Sequence, residues 1–167
     1  MAQTELHKLS VVEKLNKMDI DLVDVTFTTV NAAVGDNEVL ADYVEIPNAV
    51  AVKGGAAIVQ SIQLLDDADL GVAVDIVFQT DSTSLGTVNA AVSISDADAA
   101  DILGYVSLTS YFDGIAWQMA TKTNLGLVIK AASTTRSIYA AVVNRSGGNV
   151  TYAATDDLHL RLGIVKD

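Results

Sequence analysis

The chain has 167 residues, of which 50% are hydrophobic and only 5% aromatic, and its formal net charge is −11. A chain of this length fits one domain with its own core. It contains no cysteine, which excludes disulfides and thiolate metal sites. The acidic balance disfavours nucleic acid as a partner. No membrane partner is expected, because no run approaches the ~20 apolar residues that span a bilayer, and the first residues lack the features of a signal peptide.

Residues 1–20 differ from the rest and are predicted to form an N-terminal arm, with one domain over residues 21–167. Charges balance within the arm, so the whole net charge of −11 falls on the domain. Apolar side chains recur at every third position of the arm, at Leu6, Leu9, Val12, Leu15 and Met18. On an α-helix each step of three residues lags a full turn by ~60°, so this stripe winds around the helix. We expect the arm to contact this domain or a neighbouring protein, and a merely flexible end is the alternative.

From residue 22 onward the apolar pattern has mostly a period of two, which indicates β-strands with one face on a core. The alternating runs are residues 58–65, 72–79, 88–94, 125–129, 138–142 and 158–164. Turn-forming residues separate them, so we predict an all-β fold, a β-sandwich or jelly roll. The last run is predicted to be a core strand. Many outward positions are Ala, Val or Thr, which favours burial against another subunit over a second layer of the same chain.

One segment breaks this period and is predicted to be a short helix over about residues 95–103. Ser95 is a suitable N-cap with Asp98 at the third helical position, and Gly104 is placed to end the helix. Two groups of acidic residues could also be considered as Ca²⁺ ligands. The first group is Asp66, Asp67 and Asp69, and the second is Asp96, Asp98 and Asp101. Helix capping and a solvated turn explain these groups better, so no metal and no cofactor is predicted.

The residues offer little for catalysis. The two histidines, His7 and His159, are far apart in sequence, and no G-x-S-x-G, Walker A or G-x-G-x-x-G motif occurs. We therefore predict a protein that is not an enzyme and has no catalytic residues. Tyr111, Phe112 and Trp117 form the one aromatic group that could contact a receptor or a glycan. The alternative is that Trp117 simply packs the end of a hairpin.

Several segments resemble small virion structural proteins of tailed bacteriophages, and they are residues 58–66, 74–78, 89–98, 103–106 and 152–163. The resemblance covers roughly residues 44–165. It implies a capsid cement or decoration protein with a β-sandwich or jelly-roll body, made in the host cytoplasm and bound to the capsid surface. It also implies a homotrimer whose partner is the major capsid protein. The arm lies outside the resemblance, and we expect it to bind across a capsid junction and to become ordered there. The alternatives are a tail or surface-knob protein that binds a host receptor or glycan, and a cellular carbohydrate-binding module or small hydrolase.

Overall fold

Two antiparallel β-sheets pack face to face in the computed structural model, which describes residues 19–166. The strands are β1 (Asp19–Phe27), β2 (Val39–Ile46), β3 (Ala56–Asp66), β4 (Val74–Gln79), β5 (Ile102–Leu108), β6 (Phe112–Asp113), β7 (Gln118–Lys130), β8 (Ile138–Asn144) and β9 (Leu158–Lys166). One sheet has the order β1-β9-β3-β7-β6 and the other β2-β8-β4-β5. Apart from the two-residue β6, this is the strand order of a jelly roll, so the predicted fold class is confirmed.

Strand β9 is a central core element, as the sequence predicts. It is hydrogen-bonded to β1 on one side and to β3 on the other. Leu158, Leu160, Leu162 and Ile164 point inward and are each 0% exposed. Full burial of one such side chain is worth ~1.5–3 kcal/mol.

The arm residues Leu6, Leu9, Val12, Leu15 and Met18 lie outside the described residues, and β1 begins at Asp19.

A β-bulge in β3 changes which side chains share a face. The sequence pattern places Ile58, Ile62 and Leu64 together. In the structure the register of β3 shifts between Val59 and Ser61 against both of its neighbours. The extra residue turns the strand, because neighbouring side chains alternate between the two faces. Val59 is consequently buried, whereas Ile58 points outward and is 39% exposed.

The run at residues 88–94 was predicted to be a strand, and that prediction is wrong. The segment makes only an isolated bridge from Ala91 to Glu38, and Asn89 interrupts the extended backbone with φ +64°. Instead, the segment lies over the outer face of the four-stranded sheet. There the buried Leu85 joins an apolar cluster with sheet residues, and Val88 and Ile94 pack against it. The chain itself therefore covers this part of the outer face, whereas Tyr43 and Tyr105 on the same face are 43% and 65% exposed.

The predicted helix is real but shorter than predicted. Helix α1 spans Asp96–Ala99, and its N-cap Ser95 accepts a hydrogen bond from the Asp98 backbone N–H at 3.1 Å. Gly104 does not end it, because Gly104 lies within β5 and pairs with Phe78 of β4. Strand pairing at the sheet edge outweighs the local helical signal. Within residues 19–166 no helix is long and apolar enough to cross a membrane.

Candidate functional site

The outer face of the five-stranded sheet carries a row of aliphatic side chains. Ile20, Val165, Ile58 and Val128 lie opposite one another in register across β1, β9, β3 and β7, and we call these four residues the aliphatic row. Ile20 is 70% exposed and Val128 61% exposed. Leu22, which is also exposed, lies next to the row on β1. These side chains are not covered by other residues within the described range 19–166.

The remainder of this sheet face is mostly polar, although Leu65 and Met119 lie opposite each other at its far end and are partly exposed. Beyond Leu22, the next outward residue of β1 is Asp24, which accepts a hydrogen bond from Nε of Arg161 at 2.6 Å. Gln63 of β3 and Thr121 of β7 continue the same line of outward positions. The most exposed apolar side chains of this face therefore lie at the end of the sheet at which the chain enters β1.

His159 lies at the polar end and links two other side chains. Its Nδ1 is 3.0 Å from the hydroxyl oxygen of Thr26, and its Nε2 is 3.1 Å from Oδ2 of Asp67. The three groups are those of a hydroxyl–imidazole–carboxylate triad, which was not expected from the sequence. The depression beside them measures about 80 Å³, far below the ~300–1,000 Å³ of small-molecule sites. We interpret the contacts as a surface link between β1 and the loop after β3.

The first acidic group is divided between the interior and the surface. Asp66 is 0% exposed. Its carboxylate accepts hydrogen bonds from the backbone N–H groups of Ala68 at 3.0 Å and Gly71 at 2.8 Å, and from the Tyr152 hydroxyl at 3.3 Å. Burial raises the pKa of Asp66 and also that of Tyr152, although the hydrogen bonds to Asp66 oppose the effect at the carboxyl. Asp66 thus shapes the turn that follows β3.

Neither acidic group forms a metal site in the described part of the chain. Across residues 19–166 no three His, Cys, Asp or Glu side chains converge as metal ligands would. In the second group, Asp98 accepts a hydrogen bond from the Ser95 hydroxyl at 2.7 Å, and Asp101 from the Thr83 hydroxyl at 3.4 Å. These contacts fix the ends of α1 rather than surround a cation.

The predicted aromatic patch is divided in the structure. The rings of Phe112 and Trp117 lie together, with centroids 5.9 Å apart, and Phe112 is 65% exposed. Tyr111 packs against the core instead, and its hydroxyl donates to the Val72 carbonyl oxygen at 2.8 Å. Sequence reasoning missed the most exposed member of this surface, Ile115, which is 91% exposed. We call Phe112, Ile115 and Trp117 the hairpin tip.

The hairpin tip holds Ile115 in an unusual backbone conformation. Its φ is +77°, where a β-branched residue costs of order 1–3 kcal/mol. The Asp113 carboxylate accepts a hydrogen bond from the Ile115 N–H at 2.8 Å, and the Gly114 N–H donates to the Trp117 carbonyl oxygen at 2.8 Å. The Trp117 ring covers Gly114 so closely that a Cβ there would lie 2.4 Å from it. Trp117 therefore packs the end of the hairpin, and Ile115 projects from it.

No family model and no curated protein matches the chain. Among solved structures, the capsid of Ralstonia phage GP4 is similar, at 19% identity and a TM-score of 0.38, covering 90% of this chain and 85% of that one. Tomato aspermy virus matches at 12% identity and 0.36, covering 97% and 93%. Desmodium yellow mottle tymovirus matches at 10% identity and 0.28, covering 90% and 87%. At these TM-scores the likenesses assign no function to the chain.

Proposed function

We propose that the chain is a non-enzymatic structural protein of a tailed-bacteriophage virion, a cement or decoration protein on the outer surface of the head. The observation that carries the proposal is the hairpin tip, where Phe112 and Ile115 present apolar surface to water beside the half-buried ring of Trp117. Exposed apolar patches of this kind mark protein–protein contacts. Strained residues such as Ile115 cluster at binding sites. The sequence resemblance over residues 44–165 supports the same role.

In this proposal the chain acts as a homotrimer bound to the major capsid protein. The hairpin tip and the arm residues make the contacts, the latter being Leu6, Leu9, Val12, Leu15 and Met18. Each buried apolar Å² contributes ~25 cal/mol, so one tip alone gives a weak contact. Three tips on one trimer bind far more tightly, because the second and third contacts form intramolecularly. The protein would be made in the host cytoplasm and added to the head surface.

The first experiment asks whether the chain is in the virion and whether the tip holds it there. Particles of the encoding phage are analysed by mass spectrometry, and heads lacking the chain are then incubated with the purified protein. We expect the wild type to bind and Ile115→Asp to lose about tenfold or more in affinity. Val52→Asp, at another exposed apolar position, is the control and should bind as the wild type does. Absence from virions, together with a monomer by light scattering, would refute the proposal.

A second candidate is a tail or surface-knob protein that binds a host receptor or glycan. The paired rings of Phe112 and Trp117 favour it, because carbohydrate rings stack on exposed aromatic side chains. Phage carrying Trp117→Ala distinguishes the two roles. Loss of adsorption with intact, stable heads supports the receptor role, whereas normal adsorption with unstable heads supports the cement role.

A further inference from the structure

We propose that the aliphatic row is the binding surface for residues 1–18 of the same chain. Within residues 19–166 the row is largely uncovered, and most of the remaining outer positions of this sheet are polar. Ile20 and Val128 occupy its two ends and are 70% and 61% exposed. The inference concerns the protein in solution, so it holds whether or not the chain later binds a shell.

The position at which the chain enters the sheet favours this segment. Residue 18 precedes β1 directly, and Ile20, the second residue of β1, is the first member of the row. From there the row continues over β9 and β3 to β7, three strand spacings or ~14 Å away. Eighteen residues reach ~27 Å as a helix and twice that when extended. The segment therefore spans the row in either conformation.

The sequence of the segment suits the surface chemically. Its apolar residues recur at every third position, at Leu6, Leu9, Val12, Leu15 and Met18. The segment carries three lysines against two glutamates, whereas the whole chain has a net charge of −11. A slightly basic, apolar segment is attracted by an acidic domain with an apolar strip.

The size of the row argues against a second copy of the domain as its occupant. Four strands ~4.8 Å apart, with the row and its neighbouring positions ~7 Å deep, give about 130 Å². A stable interface needs ~800 Å² on each partner. The row supplies about a sixth of that area, which is enough for a tethered segment because tethering gives it a high effective concentration.

Limited digestion of the full chain tests the proposal, since trypsin cleaves after Lys8, Lys14 and Lys17. We expect these bonds to be cut about tenfold more slowly than in a peptide of residues 1–18, because only the released segment is a substrate. The rate should not change between about 1 and about 100 µM protein, because the contact is intramolecular. Val128→Asp and Leu9→Asp should each raise the rate to that of the peptide.

The control is Thr121→Asp, on the same strand and the same outer face but at the polar end of the sheet. It should keep the wild-type rate, and circular dichroism should show that all three variants remain folded. Cleavage of the wild type at the peptide rate would overturn the proposal, as would protection that survives Val128→Asp. Protection that disappears on dilution would also overturn it, by assigning the row to the segment of another molecule.

Discussion

The outer faces of the two sheets differ in how far other described residues cover them. Both are rich in small and aliphatic residues. The four-stranded sheet buries Val39, Ala141 and Val143 beneath Leu85 from the chain's own loop before α1. The five-stranded sheet leaves Ile20 and Val128 exposed. An apolar outer face is thus either buried beneath another part of the same chain or exposed as a contact surface. The alternation of residues along a strand does not distinguish the two cases.

The sharpest test of inner against outer position uses two adjacent residues of β7. Ile129 is 0% exposed, whereas Val128 is 61% exposed. Ile129→Asp places an unpaired carboxylate in the core and should cost more than ~4 kcal/mol, enough to abolish the folded state. Val128→Asp should lower the free energy of unfolding by only ~1.4 kcal/mol, the value of the tenfold protection that it removes. Urea unfolding followed by circular dichroism measures both, and equal losses would mean that the two sides of β7 are not different environments.

The next test compares the covered face with the open one. Leu85→Ala removes a side chain that is 1% exposed, and such truncations cost ~2–5 kcal/mol because a cavity remains. Val128→Ala, on the open face, should cost less than ~0.5 kcal/mol. Both are read from urea unfolding. A small loss for Leu85→Ala would show that the loop before α1 is only loosely held on the four-stranded sheet.

Much of the fold was predictable because it depends on local pattern. The alternation of Leu158, Leu160 and Leu162 identifies the core strand β9, and the Ser95 side chain identifies the start of α1. The end of α1 was not predictable, because pairing of β5 with β4 determines it. The loop before α1 has the alternating pattern of a strand. The positive φ of Asn89 and the packing of the loop on the sheet are not visible in that pattern.

The candidate surfaces were harder to predict, because they arise from long-range register. The aliphatic row brings together residues from four strands that are distant in sequence, and the bulge in β3 is what turns Ile58 into it. The period of the apolar residues does not indicate where a bulge occurs. Phe112 and Trp117 were identified from their residue types. Ile115 was missed, because its exposure follows from a turn in which Gly114 packs against a tryptophan ring.

Asp66 and Asp67 are neighbours at the end of β3, but Asp66 is buried whereas the Asp67 side chain is exposed. Burial raises the pKa of Asp66, so the folded state binds its proton more tightly than the unfolded state. Its contribution is therefore fully present below the unfolded pKa of 3.8 and is lost as pH rises through the folded value. The slope for one proton cannot exceed ~1.4 kcal/mol per pH unit. Asp66→Asn should remove this slope from urea-unfolding data, and Asp67→Asn should leave it unchanged.

The smallest effect is expected at the polar end of the open face. His159 bridges Thr26 and Asp67 where its side chain is 38% exposed and that of Asp67 48% exposed. Exposed pairs contribute ~0–1 kcal/mol, because water and salt screen them. His159→Gln should therefore lower the free energy of unfolding by less than ~1 kcal/mol in urea, and Thr26→Val should behave similarly. A loss of several kcal/mol would show that this end of the sheet is as closely packed as the covered face, and that the open face is open only at the aliphatic row.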